Sequence, residues 1–224
     1  MKLNNKRTIL VGLAFLSICA FWQMYDSIVP LILTKTFHMN ETFSGAIMAA
    51  DNILALFLLP FFGSVSDKSH SKLGKRMPFI LFGTGCAIIL MNILPLLDNS
   101  YAAQPSGFKT ASFVIVLGLL LVAMGTYRAP AVALMPDVTP KPLRSRANAI
   151  INLMGAVGGI LYLGVAAVLY PNSKTAGVEH VNYQPLFIVV SAIMFVAVAV
   201  LFLTIREPKL TAENQALEKQ HPEW

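Results

Sequence analysis

The chain has 224 residues, of which 56% are hydrophobic and only 12% are charged. A soluble globular protein has about 25% charged residues, so this composition excludes a soluble globular protein and predicts a membrane protein. The formal net charge of +6 is spread over several short loops. This spread indicates no nucleic-acid partner and is typical of the loops between membrane spans.

Six apolar runs follow one another, each about long enough to cross a hydrocarbon core of about 30 Å as a helix. They are too long and too uniformly apolar for the strands of a β-barrel, so we expect an all-α integral membrane protein. The expected spans are residues 8–33, 42–62, 78–97, 111–135, 147–170 and 185–205.

These spans form one predicted six-helix transmembrane domain, residues 1–206, with no soluble domain left over. Residues 207–224 are polar and charged, and Pro208 is expected to end the sixth helix. We therefore expect this segment to be a solvated cytoplasmic tail or a truncated connector to a further helix.

The distribution of Lys and Arg between the loops predicts the orientation. Outer loops carry only Lys35, Lys109 and Lys174. The other side carries Lys2, Lys6, Arg7, Lys68, Lys72, Lys75, Arg76, Lys141, Arg144, Arg146, Arg206, Lys209 and Lys219. Because cationic loops resist translocation, we expect a multi-pass protein of the cell membrane with both termini in the cytoplasm.

The first span contains an acid, Asp26, and such a charge costs at least about 2.5 kcal/mol in mid-bilayer unless it is paired or hydrated. Trp22 and Gln23 precede it by four and three residues, so the three share one helical face. Sugar hydroxyls need strong acceptors and a pyranose ring stacks on an aromatic ring. We therefore expect this face, with Tyr25, to contact a sugar-like solute.

The second span contains Asp51 followed by Asn52, with no obvious partner within its own helix. A buried carboxylate without a fixed partner suits a group that loads and releases a proton. A pair of carboxylates would instead suit a sodium ion, which prefers oxygen ligands. These residues leave both coupling ions open.

The fourth span contains Arg128, best explained as a counter-charge to Asp26 or Asp51. Arg128 lies nearer the cytoplasmic side, so a direct bridge requires bent helices, which the prolines of the first and fourth spans would allow. In the fifth span, Gly155 and Gly159 lie four residues apart and predict a tight helix crossing. Asn152 lines a cavity or bonds to another helix.

Two cytoplasmic stretches have a specific order of residues. Residues 63–68 read GSVSDK and residues 71–79 read SKLGKRMPF. Residues 127–130 read YRAP, residues 135–137 read MPD and residues 144–150 read RSRANAI. Together they resemble the major facilitator superfamily, in the form shared by sucrose-type transporters and the glycoside-pentoside-hexuronide:cation symporters.

This resemblance implies half of a twelve-helix fold, built as two inverted three-helix repeats, with the solute held between two halves. The first and fourth spans would then face the cavity. In melibiose-type symporters the cation-binding carboxylates lie in the first, second and fourth helices, whereas the fourth span here has Arg128 and no acid, which favours a proton over sodium. The resemblance also implies a cytoplasmic gating motif formed by Gly63, Asp67, Gly74, Lys75, Arg76, Asp137 and Arg146.

The sequence thus predicts a secondary active transporter, or half of one, that moves a sugar or glycoside with a cation by alternating access. A six-helix chain would need a second six-helix half or a second copy. The alternatives are a non-transporting fragment or accessory membrane subunit, and a multidrug or other-solute antiporter. No nucleophile with a base, metal-ligand cluster or phosphate-binding loop is evident, so we expect no enzyme, cofactor or metal.

Overall fold

The computed structural model describes residues 3–223 of the chain. Within them there is no β-strand, and six helices are long and apolar enough to cross a membrane. The prediction of an all-α protein with six transmembrane helices is confirmed. Lys2, one of the predicted cytoplasmic cations, and Trp224, the end of the predicted tail, lie outside the described residues.

The helices are α1 (Asn5–Leu31), continued by a π-helical turn (Ile32–Thr36), α2 (Glu41–Asp67), α3 (Met77–Ala103), α4 (Gly107–Val138), α5 (Arg144–Leu169), α6 (Asn172–Thr175), α7 (Gln184–Thr204) and α8 (Glu207–Gln220). The membrane-crossing helices are α1 to α5 and α7. We call the end of the bundle that carries residues 68–76 the inner end, and the opposite end the outer end.

Most helices extend beyond the predicted spans. The expected outer loop at residues 98–110 shrinks to residues 104–106 between α3 and α4. There the ammonium group of Lys109 donates to the carbonyl oxygens of Ser100 and Gln104, at 2.8 and 2.9 Å. Carbonyl groups at the end of a helix need such donors, so a polar stretch can continue a helix where the sequence suggests a loop.

Helix α1 lies at the centre and packs most extensively on α5, then on α7. A Cβ atom on Gly158 of α5 would overlap the backbone of Leu16, and one on Gly155 would lie 2.9 Å from Cys19 Sγ. Membrane helices gain little by hiding apolar surface from lipid, so close backbone approach through small residues matters more. The tight crossing predicted from Gly155 and Gly159 is the crossing of α5 with α1, and its close contacts are made by Gly155 and Gly158.

Three hydrogen bonds join other pairs of helices across the bundle. The Tyr127 hydroxyl of α4 donates to the carbonyl of Ala14 at 3.0 Å and also pairs with the hydroxyl of Ser17, both on α1. The side-chain amide of Asn92 on α3 donates to Ser191 Oγ on α7 at 2.6 Å. These bonds hold α4 against α1 and α3 against α7.

Helix α2 lies at the edge of the bundle and packs chiefly on α4. Among its residues only Ser44 and Ser66 are buried, and large side chains such as Leu56 and Phe57 are about two-thirds exposed. One side of the six-helix unit is therefore open to lipid or to another protein surface. The arrangement as two inverted three-helix repeats stays a prediction.

The segment after the sixth span differs from the expected solvated tail. Helix α7 already ends at Thr204, and Pro208 lies in the first turn of α8, where proline is favoured because no backbone N–H is needed there. The Asn214 amide of α8 donates to the carbonyl of Asp137 at the end of α4, at 3.1 Å. Residues 207–220 thus form an ordered helix against the inner end of the bundle.

We predict that Gly158→Ala destabilises the protein by about 1–3 kcal/mol, the usual cost of overpacking a close contact. The added methyl group meets the backbone of α1, which cannot move aside as a side chain can. Gly164→Ala is the matched control, because a Cβ there has no neighbour within 4 Å. Unfolding of both variants in detergent, followed by circular dichroism, checks this, and equal stabilities would contradict it.

Candidate functional site

Three of the residues predicted for the solute or ion path meet at one narrow cleft between α1, α2 and α4. Trp22, Asp51 and Arg128 line this cleft, which has a volume of about 20 Å³. Asp26 is exposed one helical turn further along α1 than Trp22. The structure therefore brings together the residues that the sequence singled out on three different helices.

Arg128 is held by an aromatic ring and not by the expected ion pair. Its guanidinium carbon lies 5.6 Å from the centre of the Trp22 ring, in the range of a cation–π interaction. No carboxylate of residues 3–223 lies within ion-pair distance of Arg128, so the predicted bridge to Asp26 or Asp51 is not formed. The Trp22 indole thus stabilises the Arg128 cation, whereas the sequence predicted that an acid would do so.

Asp51 and Asn52 hydrogen-bond to each other, since Asn52 Nδ2 donates to Asp51 Oδ1 at 2.8 Å. The sequence shows no polar partner for Asp51 one helical turn away. In the structure the adjacent residue, Asn52, is the partner. An amide is a neutral partner, so the charge of the carboxylate remains unbalanced by this contact.

Tyr25 is only 1% exposed and packs against Phe21 and Trp22, with ring centres 6.0 and 5.3 Å away. The predicted contact between this ring and a solute is therefore not available. Its hydroxyl and the Trp22 indole N–H are buried and have no hydrogen-bond partner among the described residues. Both groups are therefore donors without an acceptor beside the cleft.

Gln23 and Asn152 are exposed on the same open side of the close pair formed by α1 and α5. The Gln23 amide oxygen lies 3.9 Å from the position of a Cβ on Gly159. Asn152 is exposed two turns earlier on α5 and makes no side-chain hydrogen bond within the described ranges. These two residues border the cluster without forming part of the cleft.

A second polar cluster lies at the inner end, around the buried side chain of Arg76 before α3. Its Nε donates to Asp137 at the end of α4 at 2.8 Å, and its Nη atoms donate to Asp67 and Ser66 at the end of α2. The carbonyl of Gly63 accepts a longer bond of 3.4 Å. Arg76 thus ties the inner ends of α2, α3 and α4 together.

Burial alone would lower the pKa of Arg76. The hydrogen bonds and negative charges of Asp137 and Asp67 outweigh it, so its pKa lies above the usual arginine value. The guanidinium is therefore charged at any physiological pH. A buried arginine with two acids is stable only as a complete unit, because removal of one partner leaves a buried charge.

Glu207, which the sequence analysis did not single out, completes this inner cluster. It is 2% exposed, and its carboxylate accepts the backbone N–H groups of Lys75, Arg76 and Met77 at 2.7 to 3.1 Å. These are the unpaired donors at the start of α3, where a negative charge is also favoured by the helix dipole. Gly74, with φ 112°, makes room, since a Cβ there would overlap the Glu207 carboxyl group.

A signal for Glu207 exists in the sequence. Helix α3 has no side-chain cap of its own at Arg76, so its first N–H groups need an acceptor from elsewhere. Glu207 is the acid that directly follows the last apolar span.

Three members of the expected gating motif take a different position. The side chains of Lys75 and Arg146 are exposed and form no ion pair in the part of the chain that is described. Gly63 lies within α2, four residues before the end of the helix. Its contribution is the carbonyl oxygen. Asp67, Gly74, Arg76 and Asp137 are the members that the structure brings together.

The outer end contains a further buried acid, Asp98, which the sequence placed at the start of a loop. It lies inside α3, is 0% exposed, and its carboxylate is 4.0 Å from His180 Nε2. His180 also contacts Thr36 after α1 at 3.3 Å and Asn99 at 2.9 Å. These contacts hold the segment before α7 against the outer ends of α1 and α3.

The described residues thus form a bundle of six membrane helices with a polar central face and an arginine-centred inner cluster. The family model of the Major Facilitator Superfamily matches residues 11–223. The chain belongs to this superfamily, which confirms the resemblance noted in the sequence.

Curated relatives show the same similarity. The chain is 35% identical to a sucrose transport protein of Arabidopsis thaliana over 158 residues, which are 65% of this chain and 26% of that protein. It is 36% identical to a sucrose transport protein of Oryza sativa over 154 residues, 62% of this chain and 30% of the relative. It is also 25% identical to solute carrier family 45 member 3 of Homo sapiens over 81% of this chain and 34% of that protein. The matches span about a third or less of each relative.

We predict that Glu207→Gln destabilises the protein by about 1–3 kcal/mol, because the neutral amide accepts the three N–H groups of α3 less strongly than a carboxylate does. Glu213→Gln, in the same helix at a half-exposed position, should cost less than about 0.5 kcal/mol. Chemical unfolding of both variants in detergent measures the difference. Equal losses would show that Glu207 does not cap α3.

Proposed function

We propose that the chain is half of a secondary active transporter that moves a sugar or glycoside together with a cation, by alternating access. The observation that carries this proposal is the polar cluster of Trp22, Asp26, Asp51 and Arg128 within the spans, in a chain similar to sucrose transport proteins. Its acids and its arginine form no ion pair among the described residues. Ionisable groups inside spans are costly and commonly mark a transport path.

The chemistry of the cluster suits a polyhydroxylated solute. Asp26 and Asp51 offer charged acceptors, the Trp22 indole N–H and the Tyr25 hydroxyl are unused donors, and the Trp22 ring offers an apolar face. Such a mixture of an aromatic face with strong acceptors matches the two faces of a sugar ring. We assign Gln23, Asn52 and Asn152 to the edge of the solute path.

A second half is needed for the solute to be enclosed. The cleft at Asp51 and Arg128 has a volume of about 20 Å³, enough for about one water molecule and far too small for a sugar. The solute would lie on the open side of Asp26 and Asn52, closed by a second copy of the chain or by a separate six-helix half. Lipid covers the remaining apolar surface.

A proton fits the cluster better than sodium as the coupling ion. A sodium site needs several hard oxygen ligands, whereas α4 presents the cation Arg128 at this level and no acid. Among the described residues the Asp51 carboxylate hydrogen-bonds only to a neutral amide, so protonation removes an uncompensated charge without breaking an ion pair. We assign proton loading to Asp51.

The inner cluster would serve as the gate. Asp67 is 60% exposed although it pairs with Arg76, so its free side can meet a second half when the inner end closes. Gly63, Gly74 and Asp137 position this unit, and the exposed Lys75 and Arg146 would take part only through that second half. The cation-rich inner end supports an orientation with both termini in the cytoplasm, in a protein of the cell membrane.

We predict that vesicles containing the chain accumulate labelled disaccharides or glycosides only with an inward proton gradient. Asp51→Asn should lower this accumulation at least about tenfold, because an amide cannot carry the proton. Glu41→Gln, which removes an exposed acid at the start of the same helix, should leave it unchanged. Uptake is measured for both variants at equal amounts of inserted protein.

Absence of sugar uptake by correctly inserted protein would contradict transport by copies of this chain alone. It would leave a transporter that needs a separate second half, or a non-transporting fragment or accessory subunit. Gradient-driven export of a cationic drug without sugar uptake would instead favour a multidrug antiporter.

A further inference from the structure

The inner end of α1 and the junction between α7 and α8 enclose a cationic cleft. This cleft has a volume of about 400 Å³ and contains Lys6, Arg7, Arg206 and Lys209, with Glu213 as its one acid. A neighbouring cleft of about 350 Å³ shares Arg206 and Lys209 and adds Lys72. Neither the transport cluster nor the Arg76 cluster uses these cations.

The cations of this cleft are largely without protein partners. Among the described residues, Lys6, Arg7, Lys72 and Arg206 form no ion pair. Lys209 lies 3.9 Å from Glu213 in an exposed pair, which contributes little. The concentration of positive charge is therefore available to an anion.

The cleft lies at the level where the bundle leaves the hydrocarbon. Leu203 is 77% exposed and apolar, and the exposed Arg206 follows it three residues later. On α1 the order is mirrored, because exposed Lys6 precedes Ile9, which is 44% exposed. Both helices thus change from charged to apolar surface beside the same cleft, as a membrane interface requires.

We propose that this cleft binds the phosphate headgroup of an anionic phospholipid, with Lys6, Arg7 and Arg206 around the phosphate. Its acyl chains would continue along the exposed apolar surface of α7 at Phe202 and Leu203. A soluble anion would meet only the cations, whereas a phospholipid meets the cations and the adjoining apolar wall. Basic pockets between membrane helices on the cytoplasmic side have this chemistry, and the cytoplasmic leaflet is the anionic one.

This site is separate from the solute path, so its test is a binding measurement and not a transport assay. Purified full-length chain in a neutral detergent is titrated with dioctanoyl phosphatidylglycerol, with dioctanoyl phosphatidylcholine and with inorganic phosphate at constant ionic strength. The midpoint of thermal unfolding is recorded in each titration. The proposal requires a saturable rise with phosphatidylglycerol alone.

Charge variants locate the binding site. The double variant Lys6→Gln/Arg206→Gln should weaken the apparent affinity for phosphatidylglycerol about thirtyfold. The control Lys141→Gln/Lys219→Gln removes the same charge from exposed positions elsewhere at the inner end. It should change the apparent affinity for phosphatidylglycerol less than about twofold. Glu213→Gln removes the acid of the cleft and should tighten binding about fivefold.

The outcomes separate the possible ligands. An equal rise with inorganic phosphate would overturn the lipid assignment in favour of a soluble anion, and an equal rise with phosphatidylcholine would mean that only acyl chains bind. Equal weakening in the two double variants would show that net charge, and not this cleft, attracts the lipid. If Lys6→Gln/Arg206→Gln does not fold, an unchanged affinity in Glu213→Gln still contradicts the proposal.

Discussion

The contact between Gly158 and the backbone of Leu16 determines where α1 lies, and the polar site depends on α1. Because no side chain separates the two backbones, α1 and α5 approach more closely than bulky residues would allow. This approach places α1 at the centre, where it also packs on α7 and α4. The face of α1 that carries Trp22 and Asp26 is left open beside α2 and α4. A membrane helix bundle can thus expose a polar face while its opposite faces are packed.

The two polar clusters of the bundle differ in how completely their charges are satisfied. In the Arg76 cluster at the inner end, Arg76 has two acids and Glu207 accepts three backbone N–H groups, so the buried charges of this cluster have partners within the chain. In mid-membrane, Arg128 has only an aromatic ring and Asp51 only an amide. Unsatisfied charge is more expensive in the membrane than at its surface. This difference distinguishes a structural junction from a site that a solute, an ion or a second half would complete.

The sequence predicts those features that repeat along one helix, and it fails where partners come from distant segments. Apolar runs predict all six spans, and the spacing of Gly155 and Gly159 predicts a tight crossing, because both follow from helix periodicity. The predicted ion pair of Arg128 was wrong, because the sequence does not reveal that the Trp22 ring lies closer to the guanidinium than either acid does. Glu207 was missed for the same reason: it caps a helix that begins 130 residues earlier.

Helix α8 connects the inner cluster to the surface of the membrane. Glu207, which caps α3, lies between Arg206 and Lys209, the two cations shared by the adjoining clefts. An anion held by these cations would order the first turn of α8 and thereby the carboxylate that accepts the N–H groups of α3. Since Arg76 at the start of α3 also binds the ends of α2 and α4, the same turn is coupled mechanically to three membrane helices. Lipid composition would then act on the Arg76 cluster through α8 without any contact with the cleft at Asp51 and Arg128.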